Sequence, residues 1–472
     1  MKNIFKNTLN PLSAIFLSMA LFIAFLTSAC TPPSKIKVGV GETLINPPIG
    51  TPMSGYVRTD VSKGIHDDLH ARSLLVEGSD GTTVVMMTIS LVEIGKEYVE
   101  KIRAGINKAT GIPKENIMIS ATHTHSGPEL FSKDTSEQYK KLVVDNSIES
   151  AVSAWENRVP GRIGIDSTMV MELGRANRRL QHGGLHPDPM VGLIKIENDK
   201  GKLLGVAFNY GCHPSTLDLH NLQFTEDWPF FAIQGIKKSV GKDVWVAYYQ
   251  SAQGDIKVGY TAELSAVGAE MPIRNWWYAE VKGNQMTAAV LKALPRIKTS
   301  GDEVVKSTSG VFDYPLKESF NLTIEQAGNA LKAARQKLAE MEKIKDTLGK
   351  RVLDEARVAV FLTGMEVDNA KMVAEKNRPA AMKLEQQAIR IGDAAFVSFP
   401  CEVFSEIGLK VKQQSPFTKT FVIGLANEPD VGYLPTAEEF KEDNYEVLGS
   451  PFSPKAEQVC IDSSLSLIGK LK

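Results

Sequence analysis

Residues 116–128 have the sequence NIMISATHTHSGP, in which a short apolar segment runs directly into two histidines. Residues 116–121 are typical of a buried β-strand. The preceding residues 94–110 carry apolar side chains at helical spacing and stop at Gly111, which is typical of a helix end. A helix followed by a strand that ends in polar side chains predicts a mixed α/β fold, with a functional site just after residue 121.

The same alternation of helices and strands recurs on both sides of this stretch. Strands are predicted at 35–40, 191–209 (a hairpin turning at 198–201), 244–249, 385–399 and 420–425, and helices at 138–155, after Asp227 and at 455–471. Residues 323–378 are rich in Ala, Glu, Lys and Gln, which predicts a long helical hairpin packed on the sheet. The predicted fold class is therefore α/β, a mixed sheet with flanking helices and a helical insertion.

The N-terminal segment has the features of an export signal. Lys2 and Lys6 precede an apolar run over 12–26, which closes on Thr27-Ser28-Ala29-Cys30. This pattern predicts a lipoprotein signal peptide at 1–29, lipidation of Cys30, a tether over 30–36 and one domain over 37–472. The expected location is the bacterial cell envelope, on a membrane surface. The alternative is an uncleaved membrane anchor, for which the apolar run is short.

Charge and composition limit the partners that the chain can have and the way its fold is stabilised. The chain has 54 basic and 55 acidic residues; without residues 1–29, which hold two lysines and no acid, the balance is 52 to 55, a net of −3. This balance indicates no nucleic-acid partner. A hydrophobic content of 43% over 472 residues supports a large core. The cysteines after Cys30 are Cys212, Cys401 and Cys460, which is too few for a disulfide framework.

Histidine is scarce, with eight residues, and four of them lie where predicted strands end: His66, His123, His125 and His213. Residues two apart in an extended segment point to the same face, so His123 and His125 can face one site. Imidazole is a favoured zinc ligand. The alternative is a pair of histidines that caps a strand through backbone hydrogen bonds, and the spacing alone leaves both interpretations open.

Several separated motifs together resemble the neutral, non-lysosomal ceramidase family. In chain order the matching segments are 38–41 (VGVG), 46–50 (NPPIG), 55–56 (GY), 122–128 (THTHSGP), 177–178 (NR), 212–214 (CHP), 254–255 (GD), 400–402 (PCE), 434–436 (LPT) and 438–439 (EE), with Tyr433 and Tyr445 flanking the last two. The resemblance is collinear from about residue 37 to the C-terminus.

This resemblance implies a zinc ion and a set of site residues. The implied zinc ligands are His123, His213, Glu402 and Tyr433, with room left for a water or a substrate carbonyl. The resemblance further implies that His125 lies beside the metal or acts as a base, and that Arg178 and Tyr445 donate hydrogen bonds to the developing oxyanion. Outside the resemblance, Arg178, Tyr445 and Glu402 have ordinary alternatives as surface or half-buried residues.

Two features depart from the family pattern. The family places a serine after Gly-Asp-Val, whereas this chain has Asp255, Ile256 and then Lys257. We expect Asp255, Lys257 and Ser251, a nearby hydroxyl, to contact the substrate, and a lysine there favours an anionic or polar group. The alternative is that Lys257 extends to the surface and forms an ion pair there. The second departure is that full-size members carry a C-terminal β-sandwich after the catalytic domain.

Three functions remain open from the sequence. The first is a zinc amidohydrolase that cleaves the N-acyl bond of ceramide or a related lipid, releasing a fatty acid and a sphingoid base or other amine. The second is a zinc hydrolase of a different amide or ester, selected by Lys257. The third is a lipid- or glycan-binding lipoprotein without turnover, which need not hold zinc. If His213 and Glu402 meet at one metal, a disulfide between Cys212 and Cys401 is a further hypothesis.

Overall fold

The computed structural model describes residues 34–472, apart from 57, 59, 172, 177–186, 428–430 and 443. The predicted signal peptide, Cys30 and most of the tether lie outside the described residues, as does Arg178, so those assignments stay predictions. Among the described residues, no helix combines the length and the apolar character that crossing a bilayer requires.

An eight-stranded mixed sheet forms the larger part of the domain. Its strands are β1 (Lys37–Leu44), β2 (His70–Glu77), β3 (Thr83–Ile89), β4 (Ile117–Ala121), β5 (Val159–Met169), β6 (Met190–Asn198), β7 (Leu203–Tyr210) and β8 (Trp245–Gln250). The spatial order is β8-β7-β6-β5-β1-β2-β3-β4. The pairs β7/β8 and β3/β4 at the two edges are parallel, and the pairs between them are antiparallel.

A second sheet of four strands packs on the first. It consists of β9 (Val305–Pro315), β10 (Ala381–Ile391), β11 (Ala394–Ser398) and β12 (Lys419–Ile423), in that spatial order. β10 and β11 form a hairpin that turns at Gly392, whose φ of 62° suits glycine. β11 and β12 are parallel, so their carboxyl ends lie at one edge.

Ten helices flank these sheets within the described residues. They are α1 (Lys96–Thr110), α2 (Glu137–Glu156), α3 (Trp228–Val240), α4 (Ala262–Ala266), α5 (Trp276–Ala293), α6 (Ile324–Lys343), α7 (Lys350–Ala374), α8 (Ser405–Gln414), α9 (Tyr445–Leu448) and α10 (Ala456–Lys470). Local signals mark several of their ends. Ser136 and Asn275 cap α2 and α5, and Thr323 forms a capping box with Gln326 at the start of α6.

The central hydrophobic core contains side chains from each of the twelve strands, including Met86, Trp245 and Phe396. The larger sheet curls, so that Tyr249 of β8 donates a hydrogen bond to the carbonyl of Met86 on β3 (2.8 Å). The outer surfaces are covered by pairs of helices. α1 and α2 cover β2–β4, α3 and α5 cover β6–β8, and α8 and α10 cover the second sheet.

α2 lies directly against the backbone of β1, which explains the glycines of the 38–41 motif. A Cβ added at Gly39 would lie 1.9 Å from the carbonyl oxygen of Ala154, and one at Gly41 would lie 1.9 Å from that of Ser150. Both contacts are with helix backbone, which a rotamer change cannot move. The alternation of glycine and valine therefore lets β1 bury one face against a helix at short range.

Two sequence predictions need correction. The helical hairpin of α6 and α7 does not pack on the sheet as predicted; outside the hairpin, α7 packs mainly on the short helices α4 and α9. The reason is its sparse apolar face, since α6 buries only Ala327 fully. The hypothesised disulfide is also absent, because Cys212 and Cys401 are both free thiols. Cys212 packs in the hydrophobic cluster around β6–β8, whereas Cys401 packs in the cluster of the second sheet, so the two thiols lie in separate parts of the core.

The close packing of α2 on β1 predicts the effect of one added methyl group. Gly41→Ala should lower the free energy of unfolding by about 1–3 kcal/mol, since the methyl group must displace helix backbone. Chemical denaturation would measure the change. Gly328→Ala, in the exposed part of α6 with nothing near its Cβ, is the matched control and should be neutral or slightly stabilising. Equal behaviour of the two variants would contradict the packing argument.

Candidate metal centre

The site lies where the carboxyl ends of β4, β8, β11 and β12 meet. The amide of Ala121 donates to the carbonyl of Leu425 (3.1 Å), and the amide of Gly424 donates to that of Gln250 (2.9 Å). These bonds join the strand ends of both sheets at one place. Side chains in the segments that follow these strands can therefore share one site.

His123 follows β4 by two residues and has a left-handed backbone, with φ of 68°. This conformation is uncommon for residues other than glycine and is often found at functional sites. Its amide donates to the carbonyl of Leu91 (2.8 Å), and its Nδ1 donates to the carbonyl of Val92 (2.7 Å). Nε2 is therefore the nitrogen left to face the site.

His213, in the segment after β7, is fully buried and held in the same way. Its Nδ1 donates to the carbonyl of Ile256 (2.9 Å), and its amide donates to the same oxygen (3.1 Å). Burial, and then the positive charge of Lys257, lower the pKa of His213 to about 3. Its imidazole is thus neutral at physiological pH, with Nε2 unprotonated.

Glu402 completes the cluster from the second sheet. Its Oε2 lies 3.2 Å from Nε2 of His123 and 3.0 Å from Nε2 of His213. Burial raises the pKa of the Glu402 carboxyl, but the two adjacent imidazoles outweigh it and hold that pKa well below its usual range. Gly254 allows this approach, because a Cβ there would lie 2.4 Å from the Glu402 carbonyl oxygen.

This donor set fits a divalent metal. With Nδ1 of His123 and His213 donated to carbonyls, Nε2 of each ring faces the ionised Glu402. The ring of His213 is neutral, so its Nε2 presents a lone pair beside the carboxylate, and a cation between them would relieve the repulsion. Zinc is bound by imidazole nitrogen and carboxylate oxygen, and backbone carbonyls commonly orient its histidines. The cluster has the chemistry of such a centre.

His125 lies beside this cluster. Its Nε2 is 3.4 Å from Nε2 of His123, and its Nδ1 is buried without a hydrogen-bond partner among the described residues. Burial and the neighbouring rings of His123 and His213 lower the pKa of His125 well below its ordinary value. The ligand atoms of these three histidines lie within 4.8 Å of one another. His125 is therefore placed either to join a metal or to accept a proton next to one.

Tyr433 and Tyr445 form part of a cavity of about 140 Å³ beside the cluster. Tyr433 pairs with Glu402 in a short parallel bridge, and its ring lies 5.6 Å from that of Tyr445. The cavity is lined by Gly55, Tyr56, His125, Lys257, Tyr260, Ala262, Ser265, Ala266, Phe361, Tyr433 and Tyr445. Burial raises the pKa of both tyrosines, so each retains its phenolic proton and can donate it to a hydrogen bond.

The three residues predicted to contact substrate occupy different places. Lys257 lines the cavity and is only 4% exposed, so the surface ion pair is ruled out. Asp255 accepts from the amide of Ser405 (2.7 Å), at the start of α8, and from its hydroxyl (3.2 Å). Ser251 is buried, with its amide bonded to the side chain of Gln250 (3.1 Å). Neither Asp255 nor Ser251 is among the described residues that line the cavity.

Arg178 lies outside the described residues. The nearest described residues before it, Arg175 and Ala176, pair antiparallel with Ile256 and Lys257. The strand that leads to Arg178 therefore runs beside the cavity wall. Tyr260 and Phe361 line the cavity but were not predicted, since single aromatic residues in a loop and in the middle of a helix carry no sequence signal for a site.

Comparisons of sequence agree with this geometry. Residues 36–255 match the family model for "Neutral/alkaline non-lysosomal ceramidase, N-terminal". The neutral ceramidase of Drosophila melanogaster is 26% identical over 283 residues, which cover 51% of this chain and 39% of that protein. The neutral ceramidase of Pseudomonas aeruginosa is 26% identical over 198 residues, covering 37% and 29%. The chain thus spans less than half the length of the curated relatives it matches.

Comparison of structures confirms the α/β fold. The crystal structure of neutral ceramidase from Pseudomonas aeruginosa has a TM-score of 0.71 at 20% identity and covers 93% of this chain and 75% of that one. A structure of a ceramidase complexed with C2 has a TM-score of 0.70 at 18% identity, covering 93% and 76%. Residues 36–255 are thus similar to the N-terminal domain of the neutral/alkaline non-lysosomal ceramidases, and the chain as a whole shares the fold of the two ceramidase structures.

Proposed function

We propose that the chain is a zinc-dependent hydrolase that cleaves the N-acyl amide bond of ceramide or a related N-acylated lipid to a fatty acid and an amine. The observation that carries this proposal is that Nε2 of His123 and Nε2 of His213 both lie within 3.2 Å of one Glu402 oxygen, next to a cavity. The relatives named neutral ceramidases support the substrate class.

In this proposal His123, His213 and Glu402 hold the zinc ion, and Tyr433 is the fourth ligand from the strand paired with Glu402. Zinc, when bound, supplies Lewis-acid activation of a water and of an acyl carbonyl. The chain itself fixes the direction of each ligand. Backbone carbonyls hold both imidazoles, and the short bridge Glu402–Val403 with Tyr433–Leu434 sets the carboxylate beside the phenol.

The remaining residues act on the substrate. His125 carries a neutral imidazole beside the cluster and is the group we assign to accept a proton from the attacking water. Tyr445, a protonated phenol on the cavity wall, and Arg178 are assigned to donate to the oxygen of the scissile carbonyl as it gains negative charge. Phe361 of α7 stacks on Tyr445 at 5.9 Å and holds that ring in place.

The metal assignment predicts a stoichiometry and a sensitivity. The purified protein should contain one zinc per chain by elemental analysis, and a zinc chelator should abolish release of fatty acid from a fluorescent N-acyl-sphingosine. His213→Ala should lower both zinc content and activity, the latter by more than about 100-fold, because it removes a buried ligand. His220→Ala, at an exposed histidine, is the control and should retain both.

The other possible outcomes of this experiment each support one of the alternative functions. Zinc without hydrolysis of the lipid would favour a different amide or ester substrate. A protein without zinc, whose ligand affinity is unaffected by chelation, would instead be the binding lipoprotein, and the ligand assignment would be wrong.

The assignment of Tyr445 predicts a change in rate rather than in binding. Tyr445→Phe removes one hydroxyl and keeps the ring that stacks on Phe361, so kcat should fall by about 10²–10³ with little change in KM. Steady-state kinetics on the same substrate would measure both. Tyr98→Phe, on α1 and away from the cavity, is the matched control. An unchanged kcat for Tyr445→Phe would remove this residue from the mechanism.

We further propose that Cys30 carries a lipid that holds the domain at a membrane surface of the cell envelope, where its substrate would be found. In cells fed a labelled fatty acid, the protein should incorporate the label and partition with membranes. Cys30→Ser should lose both properties. A Cys30→Ser variant that still incorporates the label would show that the lipid is attached to another residue.

A further inference from the structure

Lys257 places the amino group of its side chain against the cavity. Its side chain is 4% exposed and lines the cavity with His125, Tyr433 and Tyr445. The short antiparallel pairing of Ile256–Lys257 with Arg175–Ala176 fixes its backbone. No other described residue forms a hydrogen bond or an ion pair with its Nζ. A buried charge without a partner is unfavourable, so the position calls for an anion from outside the chain.

The surroundings of Lys257 offset its charge only in part. Glu402 is the carboxylate that acts on it most strongly, but it is already held between His123 and His213 in the candidate metal cluster. Glu446, buried on α9, is the second carboxylate that acts on it. The rest of the cavity is lined mainly by aromatic rings, backbone and small side chains.

The wall behind Tyr56 adds further positive charge. Arg274 donates to the hydroxyl of Tyr56 (2.5 Å) and stacks over the ring of Tyr260 (4.1 Å). Arg58 donates to the carbonyls of Ser54 (2.6 Å) and His125 (3.0 Å). Neither guanidinium forms an ion pair with a carboxylate of the described residues, although Asp218 acts on both arginines and Asp227 acts on Arg274. The two arginines thus add positive charge behind this wall, which Asp218 and Asp227 offset in part.

The position of Lys257 also limits where on the ligand that charge can be. The carbonyl of Ile256 holds the ring of His213, and Lys257 is the next residue. A cavity of about 140 Å³ is small beside the pockets that enclose whole drug-sized ligands, so it admits only the reacting end of a long molecule. An anion that reaches Lys257 from the metal cluster therefore lies within a few bonds of the scissile amide.

We propose that Lys257 binds a carboxylate adjacent to the amide nitrogen, so that the preferred substrate is an N-acyl amino acid rather than a neutral ceramide. This inference rests on the proposed amide hydrolysis and specifies its substrate class. Hydrolysis adds one water across the amide bond and yields a fatty acid and a free amino acid. The amine side carries the charge because the acyl side of such a lipid is a hydrocarbon chain.

The test compares two probes that differ at one group. N-lauroylglycine carries the carboxylate, and N-lauroylethanolamine has a neutral hydroxyl in its place. Wild type should bind the carboxylate probe about tenfold or more tightly by calorimetry, and show a similar preference in kcat/KM. Lys257→Met, which keeps the length of the side chain without its charge, should reduce the preference to within about threefold. Lys257→Arg should retain most of it.

The binding measurement separates this inference from the proposed function. If the carboxylate preference in binding depends on Lys257 but neither probe is hydrolysed, the hydrolase proposal fails and the anion site stands. If wild type shows no preference, binds neither probe, or keeps the same preference in a folded Lys257→Met variant, the anion site is wrong. Zinc content of each variant, measured in parallel, controls for indirect damage to the cluster.

Discussion

The site depends on one electrostatic constraint, namely that Nε2 of His123 and Nε2 of His213 are both held within 3.2 Å of Oε2 of Glu402. The carbonyls of Val92 and Ile256 accept from Nδ1 of the two rings, so each ring turns its other nitrogen toward the carboxylate. Rigid backbone imposes this arrangement, and a divalent cation among the three atoms would stabilise it. Strand ends, glycine contacts and backbone hydrogen bonds around the site all serve to impose it.

The backbone that imposes it comes from segments almost 300 residues apart in sequence. His123 requires a left-handed backbone, and Leu425, which accepts from Ala121, has the same conformation. Asp255 serves the site indirectly, because its carboxylate ties the start of α8 to the loop that approaches Glu402. A motif that suggested substrate contact is thus better explained by the packing that brings the carboxylate to the histidines.

Local pattern predicted much of the fold. Helices such as α1 and strands such as β4 were predicted to within about two residues, since their periodicity and end signals are encoded in neighbouring residues. Strands β2, β3, β5 and β9 were not predicted. β9 is mostly half-exposed and β5 contains glycine and proline, whereas β2 and β3 are buried on both faces and lack an alternation of exposed and buried residues. The curl that brings β8 against β3 depends on long-range packing between side chains, which no local pattern encodes.

The site residues also differ in whether the sequence predicted them. His123 and His213 lie in short motifs near strand ends and Glu402 was implied by the family resemblance, whereas Phe361 reaches the cavity from a helical insertion whose packing was predicted wrongly. The insertion rests on α4 and α9, which themselves form cavity wall, rather than on the sheet. The histidines and the carboxylate of the candidate metal centre thus follow core strands, whereas most of the cavity wall belongs to short or inserted elements. Such a division would allow Lys257 and Phe361 to change the ligand that the cavity accepts without disturbing His123 and His213, because backbone carbonyls, and not those side chains, hold the two histidines.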